Sequence, residues 1–143
     1  MGYYVTLIDS TAAIPADRLD ECYKALCALN DRDDLKRGGA YQAGSRTERW
    51  FAWMDANYPE TCEDAKAVFE ALGFECEQDE PTDPLRILSY DDKTGQEELF
   101  LSAAAPFMEP GSTMEWQGEE GERWLHKFDG TSMTTFNGTV VYE

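Results

Sequence analysis

Apolar residues recur along this chain with two different periods, and the change of period divides it into strands and helices. Residues 3–8 are rich in β-branched and aromatic side chains, which is typical of a strand. Residues 16–30 carry an apolar side chain every three or four positions, which predicts an amphipathic helix. A helical period returns at residues 65–72 and 99–107. The sequence therefore predicts about three helices.

The predicted helix ends carry recognisable capping residues. Thr61 to Asp64 reads T-x-x-D, a weaker form of the capping box, and Thr94 to Glu97 reads T-x-x-E, its full form. Gly73 lies where a helix that ends near residue 72 needs a left-handed residue. Pro106 lacks a backbone donor, so it is expected to end the third helix near residue 105.

Three short segments between the helices are typical of strands. Residues 50–54, which read WFAWM, are apolar and aromatic. Their length favours a strand, and a helical turn is the alternative. Residues 74–77, directly after Gly73, are predicted to form a strand. Residues 85–90, which follow an acidic loop, are predicted to form another.

The last third of the chain predicts an antiparallel meander. Its strand-like segments are residues 113–117, 122–128, 131–136 and 139–142. Asp129-Gly130 and Asn137-Gly138 separate the last three of them, and such dipeptides favour type I′ hairpin turns. A looser acidic turn at residues 118–121 separates the first pair, and Trp116 and Trp124 are expected to pair across it.

The order of these elements indicates an α+β fold. A mostly antiparallel sheet would carry about three helices on one face and end in the C-terminal β-meander. A chain of 143 residues is the usual size of one domain, so residues 1–143 are expected to form a single α+β domain around one core.

The charge is the unusual feature of the composition. The chain has 29 acidic and 12 basic residues and a net charge of −17, well beyond the magnitude of about 2–8 that suffices for solubility. Two explanations of this charge need no binding partner: solubility alone, or a saline cytoplasm that screens the repulsion. The third is a negative surface that binds a positive surface of another molecule. Two clusters are candidate partner-binding sites: Glu75, Glu77, Asp79, Glu80 and Asp83 in one, and Glu119, Glu120 and Glu122 in the other.

One loop has the opposite charge. Residues 36–49 contain Lys36, Arg37, Arg46 and Arg49 against one acid, Glu48, with glycines among them. Near Tyr41, Trp50 and Trp53, such a loop is typical of a site that stacks on single-stranded nucleic acid or cradles a phosphate. The phosphate-binding glycine motifs are missing, and the negative charge of the whole chain opposes phosphate binding. A solvated loop is the alternative.

No residue pattern predicts catalysis, a metal or a cofactor. His126, the one histidine, shares a strand face with Trp124 and Phe128, which favours a packed side chain, and no nucleophile motif accompanies it. The aspartates at 31–34 and the segment 91–97 are poor matches to a cation loop. The four cysteines form no C-x-x-C pair, which argues against structural zinc. The protein is therefore predicted not to be an enzyme.

The cysteines and the N-terminus indicate the compartment. Cys22, Cys27, Cys62 and Cys76 are expected to be buried or half-buried thiols in a reducing environment. Residues 1–8 contain no basic region followed by a long apolar run, and no stretch reaches the ~18 apolar residues of a membrane span. The sequence predicts a cytoplasmic protein without membrane contact.

The two ends of the sequence carry a resemblance. MGYYVT at residues 1–6 and WQGEEGERWLHKFDG at residues 116–130 resemble small acidic accessory proteins of bacterial phages and prophages. That class includes anti-CRISPR and anti-restriction inhibitors, some of which imitate DNA. The resemblance implies a non-catalytic inhibitor whose partner is a protein with a basic, nucleic-acid-binding surface, without direct binding to DNA. The alternative is a small ligand- or nucleic-acid-binding module that uses the basic loop at 36–49.

Overall fold

A computed structural model describes residues 3–40, 48–52 and 54–138 of the chain. The strands are β1 Tyr4–Ser10, β2 Ala13–Ile14, β3 Gly38–Ala40, β4 Glu48–Trp50, β5 Glu75–Glu77, β6 Leu85–Ser89, β7 Asp91–Lys93, β8 Thr113–Gly118, β9 Arg123–Phe128 and β10 Met133–Gly138. The α-helices are α1 Leu19–Ala28, α2 Tyr58–Thr61, α3 Ala65–Leu72 and α4 Glu97–Ala104. Short 3₁₀ turns flank both ends of α1 and follow α4.

The main sheet has five antiparallel strands in the order β10-β9-β8-β1-β7. A three-stranded sheet has the order β2-β6-β5, and β3 and β4 form a separate hairpin. With helices and mostly antiparallel strands, the fold is α+β, which confirms the class predicted from the sequence. No helix in the described ranges has the length and apolar character needed to cross a bilayer.

The two larger sheets share one long ladder. Strand β1 pairs with β7 with Tyr4 opposite Lys93, and β2 pairs with β6 with Ile14 opposite Leu85. Between them, the Leu7 amide donates to the Tyr90 carbonyl at 2.7 Å. Residues 85–93 therefore run as one bent strand along residues 4–14, over a length of about 26 Å at ~3.3 Å per residue.

The core lies between one face of the main sheet and the helices. Alternation in β1 and β8 buries Val5, Leu7, Met114 and Trp116, as expected for strands with one covered face. Helices α1, α3 and α4 supply the other side of the core with Cys22, Leu26, Val68, Phe69, Phe100 and Leu101. The open face of the sheet carries Tyr4 and Phe136, which are 48% and 51% exposed.

The cap of α3 differs from the sequence prediction. Asp64 is itself the N-cap, and its carboxylate accepts the Ala67 amide at 2.8 Å. Thr61 ends α2 instead of capping α3, so the proposed T-x-x-D capping box is wrong. Asp64 is the cap because it lies immediately before the first helical residue, where its carboxylate reaches N–H groups of the first turn that have no partner within the helix. Gly73 closes α3 with φ of 115°, as predicted.

The T-x-x-E motif makes a different set of contacts from a standard capping box. Helix α4 begins at Glu97, and the Glu97 carboxylate accepts the Gly95 amide at 2.7 Å and the Thr94 hydroxyl at 2.6 Å. Glu97 thus stabilises the residues that precede the helix, and not the N–H groups of its first turn. Helix α4 ends at Ala104 and a 3₁₀ turn spans the proline, close to the predicted end.

The C-terminal meander is confirmed over three strands, with one correction. Asp129 and Gly130 lie in the turn between β9 and β10, where Gly130 has φ of 92° and the Asp129 carboxylate accepts the amides of Thr131 and Ser132. Asn137 and Gly138 do not form a turn, because they pair with Trp124 and Arg123 inside β10. The predicted strand at 139–142 lies outside the described residues.

The region around residues 48–61 also differs from its prediction. The strand lies at Glu48–Trp50, earlier than predicted, and a turn follows in which the Met54 amide donates to the Phe51 carbonyl at 2.9 Å. Trp53 lies outside the described residues. Helix α2 was not predicted, since its four residues are too short to show a period.

Candidate functional site

The acidic cluster at 75–83 forms the strand and loop of the β5–β6 hairpin. Glu75 accepts the Ser89 hydroxyl at 3.0 Å, and Glu77 forms an ion pair with Arg86. Asp79 and Glu80 are exposed on the loop, and Asp83 accepts the Glu80 amide at 3.1 Å. A shallow cavity of about 210 Å³ lies within this hairpin and is lined mainly by polar and charged side chains. The loop is therefore internally braced while its carboxylates stay in solvent.

The second cluster lies at the β8–β9 turn, which is tied to the start of β1. The Glu119 carboxylate accepts the Tyr4 amide at 2.7 Å, and the Tyr3 hydroxyl donates to the Glu122 carboxylate. That hydroxyl lowers the pKa of Glu122 below its usual value. Glu120 is exposed, and its amide donates to the Tyr3 oxygen at 3.3 Å. These three hydrogen bonds hold the negatively charged tip against the start of β1.

The two clusters lie at opposite ends of the shared ladder. The 75–83 hairpin is attached at the Leu85 end, and the turn at 118–122 adjoins Tyr4, opposite Lys93 at the other end. Between them, the exposed Asp91 and Asp92 form the outer edge strand β7. We call this row the acidic edge; its members are Glu75, Glu77, Asp79, Glu80, Asp83, Asp91, Asp92, Glu119, Glu120 and Glu122.

Asp91 and Asp92 are the members that sequence reasoning missed. Their neighbours Thr94 and Glu97 favoured a capping sequence, and nothing local indicated an edge strand. In the fold, β7 pairs on one side with β1, and the Thr6 hydroxyl donates to the Asp91 carboxylate at 3.2 Å. Two acids on an exposed edge strand also oppose sheet extension at that edge.

The acidic edge carries a large excess of negative charge. Four of its ten carboxylates, those of Glu75, Glu77, Asp91 and Asp92, lie on strands β5 and β7, and the other six lie in the loops at the two ends of the ladder. Two cations interrupt the row: Arg86, which is paired with Glu77, and Lys93, which lies 6.0 Å from the centre of the Tyr4 ring. Ten acids against these two bases leave the row with a net charge of −8.

The structure describes three of the four cations of the basic loop, and their side chains have different surroundings. Lys36 is buried, with its ammonium 5.6 Å from the centre of the Phe51 ring. Arg49 donates to the Lys36 carbonyl at 2.7 Å, and Arg37 is exposed. Arg46 and Tyr41 lie outside the described residues. The burial of Lys36 corrects the prediction of a solvated loop at that position, whereas Arg49 is exposed.

Gln96 connects this region to the start of α4. Its buried side-chain oxygen accepts the amides of Arg37 at 3.0 Å and Ala52 at 3.1 Å, and its nitrogen donates to the Leu35 carbonyl at 2.5 Å. Leu35, Arg37 and Gln96 also line an open cavity of about 420 Å³ beside α4. One amide side chain therefore fixes three backbone groups from two separate segments.

His126 is fully buried in a chain of hydrogen bonds. The Trp116 indole donates to Nδ1 of His126 at 3.1 Å, so the neutral imidazole carries its proton on Nε2. Nε2 then donates to the Glu98 carboxylate at 3.3 Å, and this bond lowers the pKa of Glu98. The packed histidine predicted from the sequence is confirmed by its burial. Trp116 and Trp124 stack across the strands, also as predicted, with centroids 6.2 Å apart.

The remaining candidate chemistry gives no site in the described part of the chain. Cys22 and Cys62 are buried and Cys27 and Cys76 are half-buried, and burial raises the pKa of Cys22 and Cys76 to about 12. Thiols with such pKa values are poor nucleophiles at neutral pH. No group of three or more His, Cys, Asp or Glu side chains is placed to hold a metal ion among residues 3–40, 48–52 and 54–138. No family model, curated protein or solved structure matches this chain.

Proposed function

We propose that this protein is a non-catalytic inhibitor that binds a basic, nucleic-acid-binding surface on another protein through the acidic edge. The observation that supports it is the position of the two acidic clusters at the two ends of one ladder, with Asp91 and Asp92 on the exposed edge strand between them. Nucleases hold their substrate in positively charged channels, and an extended row of carboxylates is attracted to the same channels.

The rigidity of the two ends also supports binding. The Tyr3 hydroxyl and the backbone amides of Tyr4 and Glu120 hold the tip at 119–122, and the ion pair of Arg86 with Glu77 holds the hairpin at 75–83. A preorganised charged surface loses little conformational entropy on association, and the long-range attraction accelerates encounter. The class of partner is therefore a host nucleic-acid enzyme, such as an RNA-guided nuclease or a restriction endonuclease, as in phage anti-CRISPR or anti-restriction inhibitors.

The experiment measures competition between this protein and labelled DNA for a panel of purified RNA-guided nucleases and restriction endonucleases. We expect at least one enzyme to lose DNA binding, with an affinity for the inhibitor that falls steeply as salt rises. A pull-down from nuclease-treated bacterial lysate, eluted with DNA, identifies further enzymes for the panel. If no enzyme of the panel or the pull-down is displaced from DNA at low salt, the proposal is wrong.

Charge-neutralising variants locate the surface. Glu119→Gln, Glu120→Gln and Glu122→Gln together remove three charges and keep the acceptor oxygens that hold Tyr3 and Tyr4. We expect this triple variant to weaken inhibition about tenfold or more. The matched control is Asp17→Asn, Asp20→Asn and Glu21→Gln, three exposed acids near the start of α1. Equal weakening by both triple variants would mean that net charge, and not the acidic edge, determines binding.

A further inference from the structure

Strand β10 is an open edge of the five-stranded sheet. It pairs with β9 along Met133–Gly138 and is the last strand in the order, and no other strand of the described residues pairs with its outer side. Thr134, Thr135, Phe136 and Asn137 are all exposed. Natural proteins protect such edges with charges, prolines, bulges or short length. The opposite edge, β7, follows that rule with two aspartates and three residues.

Strand β10 has none of these protections. It is six residues long and pairs with β9 without a register shift. It lies in the segment 130–142, which contains no charged residue, although 29% of the whole chain is charged. The segment holds β-branched and aromatic residues instead, which are typical of strands that pair. A second acidic molecule can therefore approach this edge without direct repulsion from charges on the strand itself.

The backbone of β10 presents a regular row of hydrogen-bonding groups. The Phe128 N–H donates to the Ser112 carbonyl, and the Phe128 carbonyl accepts the Gly111 N–H, both on the β8 side. The pair of Phe128 with Met133 is therefore a non-hydrogen-bonded pair. Antiparallel alternation then directs the N–H and C=O groups of Met133, Thr135 and Asn137 away from β9. Thr134 and Phe136 direct theirs inward, toward β9.

We propose that a second copy of this chain pairs antiparallel with β10 about a two-fold axis at Thr135. In that register Thr135 lies opposite Thr135 of the second copy, and Met133 lies opposite Asn137. All three outward residues then form hydrogen-bonded pairs, which gives about six backbone hydrogen bonds between the copies. The two five-stranded sheets join into one continuous sheet, and the interface is isologous, as two-fold dimers require.

In this register the side chains of β10 in one copy complement those of β10 in the second copy. Phe136, 51% exposed on the open face, lies directly opposite Thr134 of the second copy in a close, non-hydrogen-bonded pair. The two Phe136 rings are diagonal neighbours, within reach of aromatic contact. The Lys127 ammonium lies 5.7 Å from the centre of the Phe136 ring within each copy, so each ring is already held in place.

The charge of the chain makes this dimer distinguishable from binding through the acidic edge. Two molecules of net charge −17 repel each other beyond the contact, so dimerisation strengthens as salt screens them. Binding of a basic partner to the acidic edge weakens under the same change. The two associations therefore have opposite salt dependence, and either can fail without the other.

The test is the molar mass of the 143-residue chain, measured by light scattering as it elutes from a size-exclusion column. The measurement is made at about 0.05 M salt, where the Debye length is about 14 Å, and at about 1 M salt, where it is about 3 Å. We expect a concentration-dependent dimer of twice the 16.2 kDa monomer mass, favoured by the higher salt. Amide hydrogen exchange gives the register: Met133, Thr135 and Asn137 gain protection with concentration, and Thr134 and Phe136 are protected in monomer and dimer. A monomer at every concentration and salt overturns the proposal.

Substitutions at the two-fold axis complete the test. Thr135→Asp places two carboxylates opposite each other and is expected to reduce dimerisation at least tenfold. Thr135→Pro removes an N–H that points outward, so it blocks pairing without breaking a bond to β9. Ser102→Asp adds the same charge at an exposed position of α4 and is expected to keep the dimer. Retention of the dimer by folded Thr135→Asp and Thr135→Pro would exclude β10 as the interface.

Discussion

Trp116 and His126 are diagonal neighbours on strands β8 and β9, and the indole nitrogen of Trp116 donates to Nδ1 of His126 at 3.1 Å. Both side chains are buried, at 1% and 0% exposure. The bond selects the histidine tautomer, because Nδ1 must be the unprotonated nitrogen, and thereby directs the other ring proton to Glu98 at the surface. One buried hydrogen bond in the sheet thus orients a contact between the sheet and helix α4.

A double-mutant cycle measures this pair. His126→Leu leaves the buried Trp116 N–H without its acceptor and is expected to lower the free energy of unfolding by about 2 kcal/mol. Trp116→Phe has its own packing cost, since a large buried ring is lost. The double variant should cost less than the sum of the two by about 1 kcal/mol, because no donor is then stranded. Urea denaturation at neutral pH gives all four values, and strict additivity would contradict the coupling.

Glu98 should make stability depend on pH in the acid range. Its hydrogen bond from His126 lowers its pKa below 4.5, so the contribution is present above about pH 4.5 and is lost as pH falls through the folded pKa. The carboxylate is 57% exposed, so solvent screening limits the effect to about 0.5 kcal/mol.

Urea denaturation of wild type and Glu98→Gln at several pH values tests this. The variant should be less stable near pH 7 and approach wild type as the pH falls below 4. Glu109→Gln removes an exposed carboxylate elsewhere and serves as the control. An offset between wild type and Glu98→Gln that is the same at every pH would contradict the assignment.

Gln96→Met is expected to be among the most damaging polar substitutions. It removes one acceptor and one donor, and leaves the amides of Arg37 and Ala52 and the carbonyl of Leu35 without this partner. Because Gln96 is nearly buried, the expected loss of unfolding free energy is about 3 kcal/mol. Amide hydrogen exchange should also become faster at Arg37 and Ala52. The control is Gln78→Met, whose amide donates to the Asp83 carbonyl near the surface and should cost under about 1 kcal/mol. Similar losses for both would contradict the bridging role.

Gly73→Ala and Gly111→Ala separate backbone strain from steric contact. Both glycines have positive φ, of 115° and 91°. A Cβ at Gly73 would lie 3.0 Å from the Tyr90 ring, whereas a Cβ at Gly111 meets nothing within 4 Å. Each variant should lose about 1 kcal/mol of unfolding free energy, because alanine disfavours the left-handed conformation. Gly73→Ala should lose about 1 kcal/mol more because of the contact of its Cβ with the Tyr90 ring. Thermal unfolding of the two variants gives the difference, and equal losses would show that Tyr90 moves aside freely.

Two alanine variants distinguish the observed helix cap from the one that the sequence suggested. Asp64→Ala should destabilise the protein by about 1 kcal/mol, since the Ala67 amide loses its acceptor. Thr61→Ala should cost less than about 0.5 kcal/mol, because the contacts of the Thr61 hydroxyl with the Asp55 carboxylate and the Tyr58 carbonyl are long, at 3.4 Å. The reverse order of the two losses would restore the T-x-x-D capping box.

The sequence by itself determined the elements that local chemistry controls. Helical periodicity located α1, α3 and α4, because an amphipathic helix repeats its pattern over several turns. Gly73 and Asp129-Gly130 were recognisable since a positive φ restricts the residue type directly. The net charge and the burial of His126 and the cysteines also followed from composition and alternation.

Only the tertiary structure decided which distant groups come together. The sequence predicted the acidic clusters separately, but their position along one ladder depends on the pairing of residues 4–14 with 85–93. Asn137-Gly138 has the composition of a turn, yet pairing with β9 outweighs that local preference because each ladder bond adds to a strand already formed. Lys36 and Gln96 became structural residues for the same reason: their partners lie far away in sequence, where no local pattern records them.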